Sequence, residues 1–295
     1  QRIANRASQV VQPAPWLVGV RRPSYFTEQS RGLDTAVVVV DHQGSRVAGV
    51  PVVVTLRQVQ WNSVRRAEGN GFYTWETERR EIEVGTWNVT SALEDVVLSI
   101  PLPSGGNFQL AARAEDGSGR STTTETSFYA LGDGYTAWAR FDHNRIDLVP
   151  ERTSYRPGDE ARIMIQSPWE EATALVTTER EGVRSYRRFA LTSTQQTVTV
   201  PVTEADIPNV FVSVLLVKGR TRIDAPDDGS DPGKPSFRMG YVELEVVDAS
   251  KRLMTTVTAN RSEYRPATSA RVDITLADAA GRPVEGEVTL WAVDY

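Results

Sequence analysis

The stretch SYRPGDEARIMI at residues 154–165 returns without a gap as EYRPATSARVDI at residues 263–274, 109 positions later. A repeat spaced by the length of one small domain confines the chain to folds built from a tandem unit. In the first copy Ala161, Ile163 and Ile165 alternate with Arg162, Met164 and Gln166. In the second, Ala270, Val272 and Ile274 alternate with Arg271, Asp273 and Thr275. A period of two places one set on a core face and the other on a wet face of a β-strand. Ile163 and Ile274 are therefore expected in cores, and Arg162 and Arg271 in solvent. Tyr155 and Tyr264 each end a preceding strand with a ring to bury and a hydroxyl to hydrogen-bond. Pro157 and Pro266 fix φ for the turn that follows. Gly158 permits a type II turn; Ala267 at the matching place disfavours positive φ and predicts a different turn.

The rest of the chain has the same character. Val37–Val40, Pro51–Leu56, Phe108–Ala112, Thr197–Val202 and Val210–Val217 are short runs rich in β-branched residues. No amphipathic pattern of helical period stands out, so helix should fall below about 10%. Turn signals recur at Asp116-Gly117, Gly132-Asp133-Gly134, Pro157-Gly158, Asp228-Gly229 and Pro232-Gly233. A second echo, DHQGSRVAG at 41–49 and DAAGRPVEG at 278–286, shares D-x-x-G-x-x-V-x-G between two strands, a hairpin signal. With Tyr25 upstream of the first copy, three units share one order: Tyr, strand, turn, strand.

The expected fold class is all-β: tandem seven-stranded antiparallel sandwiches of the immunoglobulin or fibronectin-III kind, the last incomplete. Residues 1–13 are expected to be the terminal strand of an upstream domain. Residues 14–141 form one sandwich, with a long hairpin insertion around Trp61–Trp87. Residues 142–249 form a second, and 250–295 begin a third. Half a sandwich has unpaired edges and half a core, so this third unit should be the least stable part. The chain opens on Gln1 rather than Met, so position 1 is expected to be a cut point inside a longer protein.

Composition narrows the chemistry. At 40% hydrophobic and 24% charged residues the chain has the balance of a folded protein. A formal net charge of −5 argues against nucleic acid or an anionic membrane as partner. There is no cysteine, so this segment holds no disulfide, thiolate nucleophile or Cys-ligated metal. His42 and His143 are the two histidines, and each reads as an exposed loop residue. The loop Asp224–Gly233 is acidic, but Pro226 and Pro235 stand where a calcium loop needs ligands; it reads as a hairpin loop. Glu76, Glu78, Glu81 and Glu83, with Arg79 and Arg80, read as a solvated sheet edge, since neighbours on a strand face opposite ways. Glu170-Glu171 and Glu179-Arg180-Glu181 read the same way. Asn88-Val-Thr90 is a glycosylation sequon, relevant only in a secretory host. The tryptophans, Trp16, Trp61, Trp75 and Trp87 among them, read as core and interdomain packing rather than as a stacking face. There is no G-x-S-x-G, Gly-rich phosphate loop or H-E-x-x-H. No catalytic, cofactor-binding or metal residue is assigned, and no cofactor is expected.

Several stretches resemble the macroglobulin-like domains of bacterial alpha-2-macroglobulins. SYRPGDEARIMIQSPWEEATALVTTEREGV (154–183) is similar to that family's Y-x-P-G-D strand pair with its following S-P and E-R-x-G elements. VPVTEADIPNVFVSVLLVKG (200–219) is similar to later strands of the same domain. EYRP followed by GRPVEGEVTLWAVDY (281–295) resembles the start of the domain that carries the bait segment, and WLVGV with DHQGSRVAGVPVVVTL resembles the domain before these. The resemblance covers nearly the whole chain. It implies a protease inhibitor: a protease cuts an exposed bait, the molecule rearranges, and a Cys–Gln thioester reacts with the attacker or hinders it. It places the bait after Asp294, and the thioester needs a cysteine that these residues lack. The chain is thus expected to be a non-enzymatic scaffold segment. Its partners would be target proteases, through the full-length protein, and the neighbouring domains of its parent. Neither nucleic acid nor direct membrane contact is implied. The implied location is periplasmic or extracellular, on a parent lipid-anchored to the bacterial inner membrane.

Two other classes fit an array of sandwiches. An adhesion or binding array predicts further near-identical repeats beyond Tyr295 and a cell-wall anchor. An accessory region of a large enzyme predicts a catalytic domain elsewhere in the parent.

Overall fold

Strands that alternate apolar and polar residues must bury one face, and here they do so in pairs of sheets. The computed structural model describes residues 8–22, 24–69, 72–221, 233–248, 252–265 and 267–293. The first group of strands is β1 (Leu17–Val20), β2 (Phe26–Glu28), β3 (Leu33–Val40), β4 (Pro51–Gly69), β5 (Phe72–Thr90), β6 (Val96–Ile100), β7 (Gly106–Glu115) and β8 (Ser121–Leu131). They form a three-stranded sheet, β1-β3-β6, and a five-stranded sheet, β2-β8-β7-β4-β5. Val37 and Val39 on β3, Val52, Val54 and Leu56 on β4, and Phe108, Leu110 and Ala112 on β7 repeat every second residue and fill the core between them. Phe108 and Phe128, paired across β7 and β8, stack at 5.6 Å between centroids.

The second group is β9 (Leu148–Pro150), β10 (Ser154–Tyr155), β11 (Glu160–Ile165), β12 (Ala172–Glu179), β13 (Val183–Leu191), β14 (Thr197–Pro201), β15 (Asn209–Lys218) and β16 (Ser236–Val246). Its sheets run β9-β11-β14 and β10-β16-β15-β12-β13. This is the order of the first sandwich with every strand number raised by eight, so the whole topology repeats where the sequence echoes only in short pieces. Ile163, Ile165, Val212, Val214, Leu216 and Leu244 are fully buried in its core. Each sandwich carries one strand more than the seven expected. The extra strands, β2 and β10, are two or three residues long and pair parallel with β8 and β16, where the incoming chain lies along the last strand. The only helical segments among the described residues are 3₁₀ turns at Gln29–Arg31 and Glu204–Asp206.

The third unit consists of β17 (Met254–Ala259) and β18 (Val272–Ala277), paired antiparallel. They correspond to β9 and β11, and the repeat is kept to the level of single hydrogen bonds. The amide of Arg152 donates to the Tyr155 hydroxyl at 3.2 Å, and that of Arg261 to the Tyr264 hydroxyl at 3.1 Å. The amide of Glu151 donates to the Arg162 carbonyl at 2.8 Å, and that of Asn260 to the Arg271 carbonyl at 3.0 Å. The turns match as well. Asp159 donates back to the Arg156 carbonyl at 3.0 Å and Thr268 to that of Arg265 at 3.2 Å. Gly158 has φ +92° and Ala267 has φ +64°. The expectation of a different second turn is therefore wrong. The hydrogen bonds on both sides fix the turn and hold an alanine in the left-handed region, at about 1–2 kcal/mol relative to its usual conformation.

Two other expectations fail for one reason: which neighbour packs on the outer face. Ile274 is half-buried rather than buried, because among the described residues no second sheet covers the pair β17–β18. Arg162 is half-buried rather than exposed, and Met164 and Gln166 beside it are buried, because that face of β11 meets the first sandwich. Arg271 is exposed as expected. Residues 8–13 lie in no strand and 1–7 fall outside the described residues, as does most of the 224–236 loop.

Candidate functional site

The D-x-x-G echo resolves into a recurring turn that the sequence reading found twice and the structure shows three times. In each, an aspartate carboxylate accepts the amides two and four residues on: Asp41 from Gln43 and Ser45, Asp116 from Ser118 and Arg120, Asp278 from Ala280 and Arg282. The missed copy, Asp116-Gly117-Ser118-Gly119, also ends in Arg, like Asp278. In both, the Arg Nε donates to the other carboxylate oxygen at 2.7 Å. Burial opposes ionisation of Asp116, but the Arg120 and Ser118 amides and the Arg120 guanidinium outweigh it and lower its pKa. Asp278 is lowered chiefly by the Arg282 amide. These are turn braces: the carboxylates are consumed by their own loops.

The other sequence candidates sit apart. His42 Nε2 lies 2.9 Å from the Ala14 carbonyl, and His143 accepts from the Arg145 amide at 3.2 Å and stacks on Phe141. Both are exposed. Glu76 pairs with Arg66 at 3.2 Å, and Glu81 with Arg79 and with Arg57. They lie on the hairpin β4–β5, of which β5 is the sheet edge, as expected of a solvated rim. Trp16 and Trp87 pack on the first core. Among the described residues no three of His, Cys, Asp or Glu gather as a metal site.

What the sequence missed is the junction between the two complete sandwiches. Phe26, Leu131, Trp138 and Met164 form a buried cluster of their own, with Tyr129 and Val149 against it. Tyr129 meets Trp138 edge to face at 5.7 Å, and burial raises the pKa of its hydroxyl. Arg162 reaches across to Glu28 at 2.7 Å and lies over the Phe26 ring. The connecting segment 132–147 is pinned from both sides. Toward the second sandwich, the Trp138 indole donates to the Thr194 carbonyl at 2.7 Å, the Thr136 amide to Thr194 Oγ1 at 2.9 Å, and Gln195 holds both Gly132 and Thr136. Toward the first, the Arg140 amide donates to Ser63 Oγ at 3.1 Å, Thr77 donates to the Arg140 carbonyl at 2.8 Å, and the Trp75 amide donates to Asp142 at 3.2 Å. Thr194 and Gln195 are buried polar side chains whose hydrogen-bonding capacity is spent across the junction. The usable signal was on β11: a methionine on a supposedly wet face. The arrangement makes two sandwiches and a linker into one packed block.

Comparison with known proteins gives the following. A family model described as "Alpha-2-macroglobulin bait region domain" matches residues 146–295, and one described as "Bacterial macroglobulin domain 6" matches residues 21–132. An "Alpha-2-macroglobulin homolog" of Nostoc sp. is 20% identical over 296 residues, covering 99% of this chain and 15% of the relative. One from Deinococcus radiodurans is 29% identical over 220 residues, covering 73% of this chain and 20% of the relative. Among solved structures, the native conformation of Escherichia coli alpha-2-macroglobulin is 19% identical, covers 94% of this chain and 18% of its own, and has a TM-score of 0.38. The chain spans a fifth or less of the length of these relatives.

Proposed function

The chain belongs to the bacterial alpha-2-macroglobulins, and from that premise we propose that it is a scaffold segment of an inhibitor that traps proteases after bait cleavage. The observation that carries the reading is the bait-region-domain match, which runs through the second sandwich and the third unit to Tyr295. In this reading the bait follows Asp294, and any thioester lies elsewhere in the parent, since these residues contain no cysteine. The segment is not an enzyme. Its task is mechanical: a block of two sandwiches, fixed by Trp138, Thr194, Gln195 and the Arg162–Glu28 pair, carries the strands β17 and β18 that lead toward the bait. A rigid base supports a rearrangement triggered by cutting, because packed cores move as bodies. Target proteases are its partners through the full-length protein, which we place in the periplasm or outside the cell, lipid-anchored to the inner membrane.

The test is to map cleavage of the full-length parent by a broad-specificity protease with mass spectrometry. The first cut is expected just beyond Tyr295, followed by a change in shape. If the parent is never cut there, the reading of this segment as the base of the bait fails, and an array of binding domains becomes the better account.

A further inference from the structure

The segment 138–147 and the two sandwiches line a solvent-open cleft of about 740 Å³, within the ordinary range of about 300–1,000 Å³ for small-molecule sites. Its lining runs against the charge of the chain. Six cationic side chains, among them Arg140, Arg145, Lys234 and Arg238, face it, with two carboxylates, Asp142 and Asp147, in a protein of net charge −5. One of the two carboxylates, Asp142, is engaged by the Trp75 amide at 3.2 Å. Among the described residues, neither Arg140 nor Arg238 lies within 4.0 Å of a carboxylate.

The two guanidiniums are also held in place. Arg140 lies over Trp75 at 4.9 Å and donates to the Pro168 carbonyl and the Tyr135 hydroxyl, each at 3.3 Å. Arg238 lies over Trp169 at 5.4 Å and donates to Asn144 Oδ1 at 2.8 Å. Each stacks on an indole face, so the tryptophans aim cations rather than offering bare rings to a ligand. Both are half-buried, and the pKa of Arg238 is lowered by its burial and by repulsion from Arg140. Holding two like charges together under partial burial costs free energy unless a counter-charge arrives.

A second observation points the same way. Gln166 lines the cleft and is nine-tenths buried, and its Nε2 has no hydrogen-bond partner. Gln166 lowers the pKa of the nearby Tyr129 hydroxyl against the larger effect of burial, but its Nε2 completes no hydrogen bond there. A buried amide N–H₂ left unpaired costs about 1–3 kcal/mol and wants an acceptor. Fixed guanidinium forks and an idle donor around one concavity match an oxygen acceptor with negative charge.

We propose that this cleft binds a small, multiply charged oxyanion, phosphate- or carboxylate-bearing, clamped between Arg140 and Arg238 with Gln166 as a further donor. Such a ligand bridges the linker, through Arg140, and the second sandwich, through Arg238, and so ties the junction more tightly when it is present.

The test is calorimetric titration of the 295-residue chain, at low ionic strength, with pyrophosphate in one arm and citrate in the other. At least one should bind with a Kd below about 1 mM and weaken on addition of salt, as expected of an interaction made by exposed charge. The double variant Arg140→Gln/Arg238→Gln should bind at least about tenfold more weakly, the loss of two charge-assisted contacts. Arg113→Gln, on the exposed face of β7, should bind as wild type. Lys234→Gln, an exposed residue whose change spares the fold, should weaken binding measurably and serves if the double variant does not fold. The arm that binds tells phosphate from carboxylate chemistry. No binding of either anion at about 10 mM, or equal binding by wild type, the double variant and Lys234→Gln, overturns the proposal.

Discussion

Replacing Ile165 by alanine, and separately its repeat counterpart Ile274, isolates what a second sheet contributes. Both end the same repeated stretch, on β11 and β18. Ile165 has no exposed surface and sits in the core of the second sandwich; Ile274 is half-buried on a pair of strands with no covering sheet among the described residues. Alanine removes three carbon groups, at about 0.8 kcal/mol each for transfer alone, or about 2.4 kcal/mol for Ile165. The remaining cavity takes the cost toward the upper part of about 2–5 kcal/mol. Ile274 has already kept part of its surface in water and leaves no enclosed cavity, so its loss should stay below about 1 kcal/mol. Calorimetric melting of the 295-residue chain should show the transition of the second sandwich moving down by about 10 °C or more in Ile165→Ala, at about 4–8 °C per kcal/mol for a domain of this size. Ile274→Ala should leave that transition where it was. Equal effects would mean that β17–β18 is covered as fully as β11, and would refute the account of the third unit as a half-core.

Further outcomes follow from individual contacts. Trp138→Phe keeps an apolar ring but removes the donor to the Thr194 carbonyl, and should cost about 1–2 kcal/mol, read as faster amide exchange in 132–147 with both cores unchanged. Ala267→Gly relieves the positive φ and should stabilise the β17–β18 pair by up to about 1 kcal/mol, seen as slower exchange at Thr255–Thr258. At Gly240 an added Cβ would sit 2.6 Å from the Ile146 carbonyl oxygen, so Gly240→Ala should release the linker from β16 and lower the melting temperature. Asp116 and Asp278 have folded pKa values below the aspartate norm. Their contribution is therefore present above the unfolded value, near 3.9, and lost as pH falls through the folded one. NMR titration of the two carboxylates should give midpoints below that norm, and Asp278→Asn should remove the acid-dependent loosening of its turn.

The parts of the fold legible in the sequence were those set by local periodicity. Short apolar runs marked β3, β4 and β7 as strands, and alternation on β11 named its core residues Ala161, Ile163 and Ile165, because a strand with one buried face has a two-residue signature. The Asp–Gly turns at 41–44 and 278–281 were legible because the carboxylate braces its own loop. What was missed depended on which neighbour covers a face. Met164 and Gln166 alternate like solvent residues, yet the first sandwich packs on them. Ile274 alternates like a core residue, yet no second sheet among the described residues covers it. Ala267 takes a glycine's conformation because the hydrogen bonds of Tyr264 and Thr268 outweigh its own preference. The junction polar pairs, Thr194 and Gln195 with 132–138, lie about 60 residues apart in sequence and have no local pattern at all. The cleft went unread for the same reason: Arg140 and Arg238 come from distant segments, and only the fold brings their charges together.

The most direct test of the scaffold reading is the residual activity of a broad-specificity protease on a large protein substrate. It is measured after incubation with the full-length parent and, in parallel, with the 295-residue chain. The account predicts that the parent is cut beyond Tyr295 and lowers that activity, while the chain alone leaves it unchanged. Inhibition by the chain alone, or a parent that is cut there with no loss of protease activity, would contradict it.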